Sequence, residues 1–203
     1  ANGLVTSNSG KSIAVIIDNL IQCCDEESLP DHLKPYKFWQ PPFLCRVVIP
    51  SFKETLSQFL EKLEAWVPRD QLVGNSWDSA YKLKNTKLHF KNGSYIEFLS
   101  AEQEVKKHSG WTGDRVCFDE EPPGEHGRKL FVEAKQRIGV REGQITFSLT
   151  PDEGMSWSGE EVWEKCESGE PDYFGIQVDM DDNPYLSENA KSIMLQGLSN
   201  EER

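Results

Sequence analysis

Two short polar segments of this sequence carry residue types that act on phosphates. In the first, Gly10-Lys11-Ser12 stands between an apolar stretch and a helical pattern. A glycine before a helix leaves backbone amides open to phosphate oxygens, a lysine neutralises those oxygens, and a hydroxyl can hold magnesium. Val5 occupies the position of the usual first glycine of such a loop, so this tripeptide alone is an incomplete match.

The second segment is Val116-Cys117-Phe118-Asp119-Glu120, an apolar strand pattern that ends in two acidic residues. Asp119 can hold a hydrated magnesium ion opposite Ser12, and Glu120 can polarise an attacking water as a general base. Taken singly, acidic residues after a strand are usually a solvated turn. Because the two segments occur together, about a hundred residues apart and in the order that nucleotide-binding folds use, they predict a site for ATP and Mg²⁺.

The predicted site draws on further residues at the ends of elements. Ser148 and Thr150 follow the next strand, where they could sense the γ-phosphate, although Thr-Pro also opens many ordinary loops. The residues predicted to bind the nucleotide are Ser7, Asn8, Ser9, Gly10, Lys11 and Ser12, those predicted to bind the metal are Ser12 and Asp119, and those predicted to be catalytic are Glu120, Lys11 and Thr150.

The elements that must position these residues alternate between strand and helix. This order is typical of the α/β class, with a mostly parallel central sheet and helices on both faces. Ligands bind such sheets at the carboxyl ends of the strands, where both segments are expected. Strands are predicted at the tail 4–6, 45–50, 115–118, 144–149 and 173–178, helices after Gly10, over 52–66 and from near Ser187, and a hairpin over 86–99 with a tight Asn92-Gly93 turn.

Composition sets limits on the function. The 203 residues fit one domain with a short appendage, and no apolar stretch is long enough to span a membrane. Five cysteines without a CxxC pair suggest neither a disulfide framework nor a zinc site, so a reducing intracellular setting is expected. A net charge of −12 argues against coating nucleic acid, and any DNA contact must be local. Small basic patches are present at Lys82, Lys84, Lys87, Lys91, Lys106 and Lys107. An ordinary solvent-exposed protein surface explains these lysines equally well.

Along nearly its whole length the sequence resembles the large subunits of tailed-phage terminases. The likeness rests on specific segments, and a phosphate loop without its first glycine is common in that family. These segments are 6–12, 91–94 with the strand that follows, 114–123, 148–151 with 154–157, and 182–187.

The resemblance implies a RecA-like P-loop NTPase fold of the ASCE type, with an extra strand carrying Glu120 between the two nucleotide motifs and a Thr150 motif that couples hydrolysis to DNA movement. It implies ATPase activity that drives double-stranded viral DNA into a procapsid in the host cytoplasm. The implied partners are a portal protein, a small terminase subunit and further copies in a ring, the isolated domain being a monomer. The implied organisation is an ATPase domain at 1–182 and, at 183–203, the start of a linker to a nuclease domain. No nuclease activity is expected of residues 1–203.

Three points stay open at this stage. The family's usual arginine neighbourhoods here read Ser7-Asn8-Ser9 and Lys106-Lys107-His108, so the arginine finger is unassigned among Arg115, Arg128, Arg137 and Arg141. A helicase-like DNA-translocating ATPase would also suit an acidic box followed by a threonine motif. A nucleotide-binding scaffold without hydrolysis is the third alternative, against which Lys11, Asp119 and Glu120 argue.

Overall fold

The computed structural model describes residues 10–150, 156–178 and 182–195. The chain divides into two compact units. Residues 12–148 form the first, here called the sheet unit, and residues 1–11 with 149–203 form the second, the terminal unit. The strand tail predicted at 4–6 lies outside the described residues. The predicted domain boundary near residue 182 is a different division of the chain and stays a prediction.

In the sheet unit the predicted strands at 45–50, 115–118 and 144–149 and the predicted helices after Gly10 and over 52–66 are present. The sequence did not predict the helix at 124–138 or the short elements at 77–82 and 105–108. The helices are α1 Lys11–Cys23, α2 Leu56–Trp66, α3 Trp77–Ala80, α4 Val105–His108, α5 Gly124–Ile138, α6 Glu164–Ser168 and α7 Glu188–Leu195. The strands are β1 Leu44–Ile49, β2 Tyr81–Lys82, β3 Lys87–His89, β4 Tyr95–Ser100, β5 Arg115–Asp119 and β6 Gln144–Ser148. Short 3₁₀ turns occur at Glu26–Ser28, Lys34–Tyr36, Arg69–Gln71, Val73–Asn75, Leu83–Asn85 and Gly139–Arg141, and a π turn, Gly159–Trp163, precedes α6.

The strands form one six-stranded sheet in the order β2-β3-β4-β1-β5-β6. β4, β1, β5 and β6 run parallel, whereas β2 and β3 add an antiparallel edge. The predicted class, a mostly parallel α/β sheet with a hairpin, is confirmed. Glu120 itself lies one residue beyond β5 rather than inside a strand.

Both faces of the sheet are covered by helices. Because side chains alternate along a strand, Val47 and Ile49 share one face of β1 and Val48 takes the other. The first face belongs to the buried core that α1 and α2 complete, for example where Phe59 meets Phe98 at a ring distance of 5.7 Å. On the second face, Val48, Val116 and Phe118 pack with Leu130 and Ala134 of α5.

The hairpin between β3 and β4 is confirmed, but its turn differs from the prediction. Within the loop 91–93 the left-handed φ falls on Gly93 alone, at 87°, and Phe90 pairs with Ser94 instead of closing a two-residue turn. The side-chain amide of Asn92 donates to the Cys23 carbonyl at 2.9 Å. Local propensity assigns Asn92 to a tight two-residue turn, but in the structure its side chain is used for a contact with the end of α1.

In the terminal unit the predicted helix near Ser187 is confirmed as α7, but the strand at 173–178 is wrong. Its alternating apolar residues are exposed, with Phe174 at 89% and Ile176 at 74%. Gly175 instead lies against the Trp163 ring, where an added Cβ would come within 2.6 Å. A strand needs a neighbouring backbone to pair with, and no segment in the described part of this unit pairs with residues 173–178. Across the described ranges, no helix combines the length and apolarity needed to cross a bilayer.

Candidate nucleotide site

The first residue pair of the site joins the start of α1 to the end of β5. Ser12 donates its hydroxyl hydrogen to Asp119 Oδ1 at 3.1 Å, although 107 positions separate the two residues in sequence. Asp119 is the last residue of β5, so both oxygens lie at the carboxyl end of that strand, where sheets of this kind bind ligands. The sequence predicted these two residues as joint metal ligands, and the sheet unit brings them together.

The second pair lies in the terminal unit. Lys11 donates from Nζ to Thr150 Oγ1 at 2.6 Å. Just before Lys11, Gly10 adopts a φ of 86°, a conformation that residues with a side chain rarely take. Two residues assigned to catalysis from the sequence, 139 positions apart, are thus in direct contact.

Glu120 stands at a sharp bend of the backbone directly after β5. Its φ is 76°, in the left-handed region that residues other than glycine seldom occupy. The bend is held by the Glu120 amide, which donates to the Ser148 carbonyl at 2.8 Å. Since strained backbone persists only where its surroundings impose it, and often at functional positions, this outlier supports a functional role for Glu120.

Ser148, the last residue of β6, lies beside Asp119 in the strand register. It is 5% exposed, and its hydroxyl finds no hydrogen-bond partner among the described residues. A buried hydroxyl without a partner is unusual, because its desolvation is not offset. Ser148 is therefore suited to hydrogen bonding with a ligand at this edge of the sheet.

Three of the residues predicted to bind the nucleotide, Ser7, Asn8 and Ser9, lie outside the described residues, and their roles stay predictions. No group of three or more histidine, cysteine, aspartate or glutamate side chains that could hold a metal ion occurs in the described ranges.

Sequence reasoning missed a buried polar junction between α1 and β5. Asn19, 1% exposed, accepts from Arg115 Nη1 at 3.1 Å and donates to Cys117 Sγ at 3.3 Å. The same Arg115 nitrogen lies 2.6 Å from Asp18, and its Nη2 donates to Gln144 at 2.7 Å. The sequence does contain a signal for this junction. Asn19 follows Ser12 by seven residues, a helical spacing that places the polar Asn19 side chain on the apolar stripe of α1.

This junction removes Arg115 from the arginine-finger candidates. Its side chain is 3% exposed, so it cannot reach a neighbouring subunit. Two other candidates are held in ion pairs, Arg137 with Glu133 at 3.0 Å and Arg141 with Asp114 at 2.6 Å. Arg128 lies on the exposed side of α5, and the arginine finger stays unassigned among Arg128, Arg137 and Arg141.

The thiols near the site are packed inside the sheet unit. Burial raises the pKa of Cys23 and Cys45 well above the ordinary value, and it raises the pKa of Cys24 to about 12. These thiols stay protonated at neutral pH and act as small core residues. All five cysteines are free.

Solved structures show the same fold. The large terminase of a thermophilic bacteriophage superposes with a TM-score of 0.69 at 15% identity, over 95% of this chain and 44% of that one. Another crystal form of that terminase, in complex with ADP, gives a TM-score of 0.66 at 14% identity, over 98% of this chain and 45% of that one. An ATPase-domain mutant of the Thermus phage P74-26 large terminase gives 0.50 at 17% identity, over 77% of this chain and 61% of that one.

The chain therefore has the fold of large terminase ATPase domains, and the resemblance is confirmed at that level. It spans less than half the length of the first of these terminases. No protein-family profile matches the sequence, and no curated protein matches it either.

Proposed function

We propose that this chain binds ATP with Mg²⁺ and hydrolyses it as the ATPase part of a DNA-packaging motor. The observation that carries the proposal is the hydrogen bond between Ser12 and Asp119 at 3.1 Å. It joins the hydroxyl of a Gly-Lys-Ser motif to the carboxylate at the end of a buried strand, which is the arrangement that nucleotide-bound magnesium requires. The fold shared with large terminases, one of them in complex with ADP, supports the same conclusion.

The residues present fit a magnesium ion. Mg²⁺ prefers hard oxygen ligands and binds through one or two protein groups together with waters and phosphates. Ser12 and Asp119 supply a hydroxyl and a carboxylate within hydrogen-bonding distance of each other. When bound, the ion would neutralise charge that develops on the phosphates.

In this proposal three further side chains have separate tasks. Lys11 supplies a positive charge to phosphate oxygens, and its contact with Thr150 links that charge to the segment after β6. Glu120 accepts the proton of the attacking water as general base. Ser148, whose buried hydroxyl has no partner within the described residues, can donate to a terminal phosphate oxygen and so report its presence.

Beyond hydrolysis, we propose that the chain drives double-stranded viral DNA into a procapsid in the host cytoplasm. In this proposal it works as a ring of copies together with a portal protein and a small terminase subunit, whereas the isolated domain is a monomer and has no nuclease activity. Exposed lysines for DNA contact are present on the β2–β3 edge and on α4: Lys82, Lys84, Lys106 and Lys107.

The test compares two variants that should fail in different ways. Lys11→Ala removes a charge that acts on phosphates in the bound ground state, so it should weaken binding of a fluorescent ATP analogue. Glu120→Gln keeps size and hydrogen bonding but loses the base. It should bind the analogue normally, while single-turnover phosphate release falls by about 10² to 10⁴.

Matched controls come from the same chain. Glu121→Gln changes the neighbouring acidic residue of the same loop, and Lys53→Ala removes an exposed lysine. Both should behave as wild type. Release at the wild-type rate in Glu120→Gln would remove Glu120 from catalysis, and the Glu121 variant would show at once whether that residue is the base. Binding without hydrolysis in the wild type would favour the scaffold alternative.

A further inference from the structure

The buried junction of Asn19 with Arg115 lies between the same two elements that carry the proposed metal ligands. Ser12 and Asn19 both belong to α1, and Asp119 and Arg115 both belong to β5. α1 and β5 are thus joined by polar contacts at two places, at the edge of the sheet through Ser12 and inside the core through Asn19 and Asp18.

The spacing of the two contact places along α1 matches their spacing along β5. Asn19 follows Ser12 by seven residues of α1, which is about 10.5 Å at the usual helical rise. Asn19 contacts both Arg115 and Cys117, whose midpoint lies three strand residues, or about 10 Å, from Asp119. α1 therefore runs antiparallel to β5, and a hydrogen bond at one contact sets the spacing at the other.

The intervening contact is apolar and does not fix the position of the helix by itself. Ile16, 1% exposed, lies between Ser12 and Asn19 on the same stripe of α1. Apolar contacts are not directional and tolerate a small rotation or slide. A slide of α1 would instead separate Asn19 and Arg115 from their partners and leave buried polar groups unpaired, which is strongly unfavourable.

The junction also reaches the neighbouring strand. Arg115 pairs with Gln144 in the β5–β6 register, and two residues further on Thr146 donates to Cys117 Sγ at 2.9 Å. Two more residues along the same strands lie Asp119 and Ser148. One row of polar residues thus leads from Arg115 along the α1 side of the sheet to the proposed metal ligand, with side-chain contacts at its first two positions.

We propose that Asn19 and Arg115 are positioning residues for the metal-binding pair Ser12 and Asp119. Through α1 and β5 they hold the hydroxyl and the carboxylate at the spacing that one Mg²⁺ ion requires. This inference rests on the proposed function, since it concerns the metal of that same site.

The experiment measures the Mg²⁺ concentration for half-maximal binding of a fluorescent ATP analogue and for half-maximal hydrolysis, with the 203-residue chain. Asn19→Leu removes both the acceptor and the donor of the junction at similar size. It should raise both Mg²⁺ concentrations about tenfold or more, the usual effect of losing a group that orients metal ligands. Hydrolysis at saturating Mg²⁺ should largely recover, which a merely destabilised protein would not show.

Gln22→Leu is the matched control on the same helix. Gln22 is also fully buried, and it bonds mainly to the loop at Tyr36 and Phe38 rather than to β5. It also donates to Asp18 Oδ1 at 3.3 Å, whereas Arg115 pairs with the other oxygen of that carboxylate, Oδ2. Its loss should lower stability and leave the Mg²⁺ dependence unchanged. Asn19→Asp keeps the oxygen that accepts from Arg115, so it should restore the Mg²⁺ dependence towards wild type.

A second position keeps the test decisive if Asn19→Leu does not fold. Asp18 is 42% exposed and shares Arg115 with Asn19, so Asp18→Asn should be tolerated and shift the Mg²⁺ dependence in the same direction, by less. An unchanged Mg²⁺ dependence in the folded variants, or an equal shift in Gln22→Leu, would overturn the proposal. A wild-type chain that binds no nucleotide with Mg²⁺ would instead refute the proposed function.

Discussion

His108 makes the stability of the sheet unit depend on pH in a way that can be calculated. It ends α4, is 6% exposed, and its Nε2 has no hydrogen-bond partner within the described residues. Burial, together with the nearby positive charge of Arg46, lowers the pKa of His108 to about 4, against the opposing effect of a hydrogen bond with the Ser100 backbone. The folded protein therefore keeps this ring neutral over a range where an unfolded chain protonates it.

The sign follows from proton linkage. The unfolded imidazole has a pKa of about 6.5, so below that pH the unfolded chain binds a proton that the folded chain refuses. The stability that comes from keeping His108 neutral is fully present above pH ~6.5 and is lost as the pH falls towards ~4. With pKa values of about 6.5 and about 4, the loss amounts to about 2 kcal/mol at pH ~5.

The assay is urea unfolding at pH ~7.5 and pH ~5, followed by circular dichroism, for the wild type and His108→Gln. The variant has no titrating ring, so it should lose about 2 kcal/mol less than the wild type between the two pH values, or roughly 0.7 to 1 M in urea midpoint. His32→Gln removes an exposed histidine and should behave as wild type. Equal losses of stability in His108→Gln and the wild type would refute the reasoning.

Two further predictions concern packing. Gly143→Ala should lower the free energy of unfolding by about 1 to 3 kcal/mol, because the new Cβ would come 2.4 Å from the Asp114 carbonyl oxygen. Gly139→Ala has open space around it and a helical φ of −58°, so it should be neutral or stabilise by up to about 1 kcal/mol, and thermal unfolding compares the two variants. A maleimide should modify Cys166 first in the native protein and all five thiols in urea, as mass spectrometry can show, because Cys23, Cys24, Cys45 and Cys117 are at most 1% exposed. Rapid native labelling of any of these four would contradict the described core.

The sequence alone determined the class of the fold and the polar ends of its elements. The helical spacing after Gly10 predicted α1, and the apolar runs before Asp119 and Thr150 predicted β5 and β6, since local periodicity reports directly on which face is buried. Residue types then indicated the pairings, because a Gly-Lys-Ser motif and an acidic strand end each have a specific use with phosphates. The structure places Ser12 against Asp119, the pair that the sequence put together, and it also places Lys11 against Thr150, a contact that the sequence did not predict.

Tertiary structure alone decided the features that depend on distant neighbours. The apolar alternation at 173–178 looked like a strand, yet it has no backbone to pair with in the described part of the terminal unit. Asn92 matched a tight turn and instead bonds to the end of α1. Arg115 looked like a candidate to act on another subunit, but burial turns it inward to Asn19 and Asp18. For Asn92 and Arg115 the deciding partner lies far away in sequence, and for 173–178 the deciding fact is that no described segment of the terminal unit pairs with it; propensity and spacing along the chain report neither.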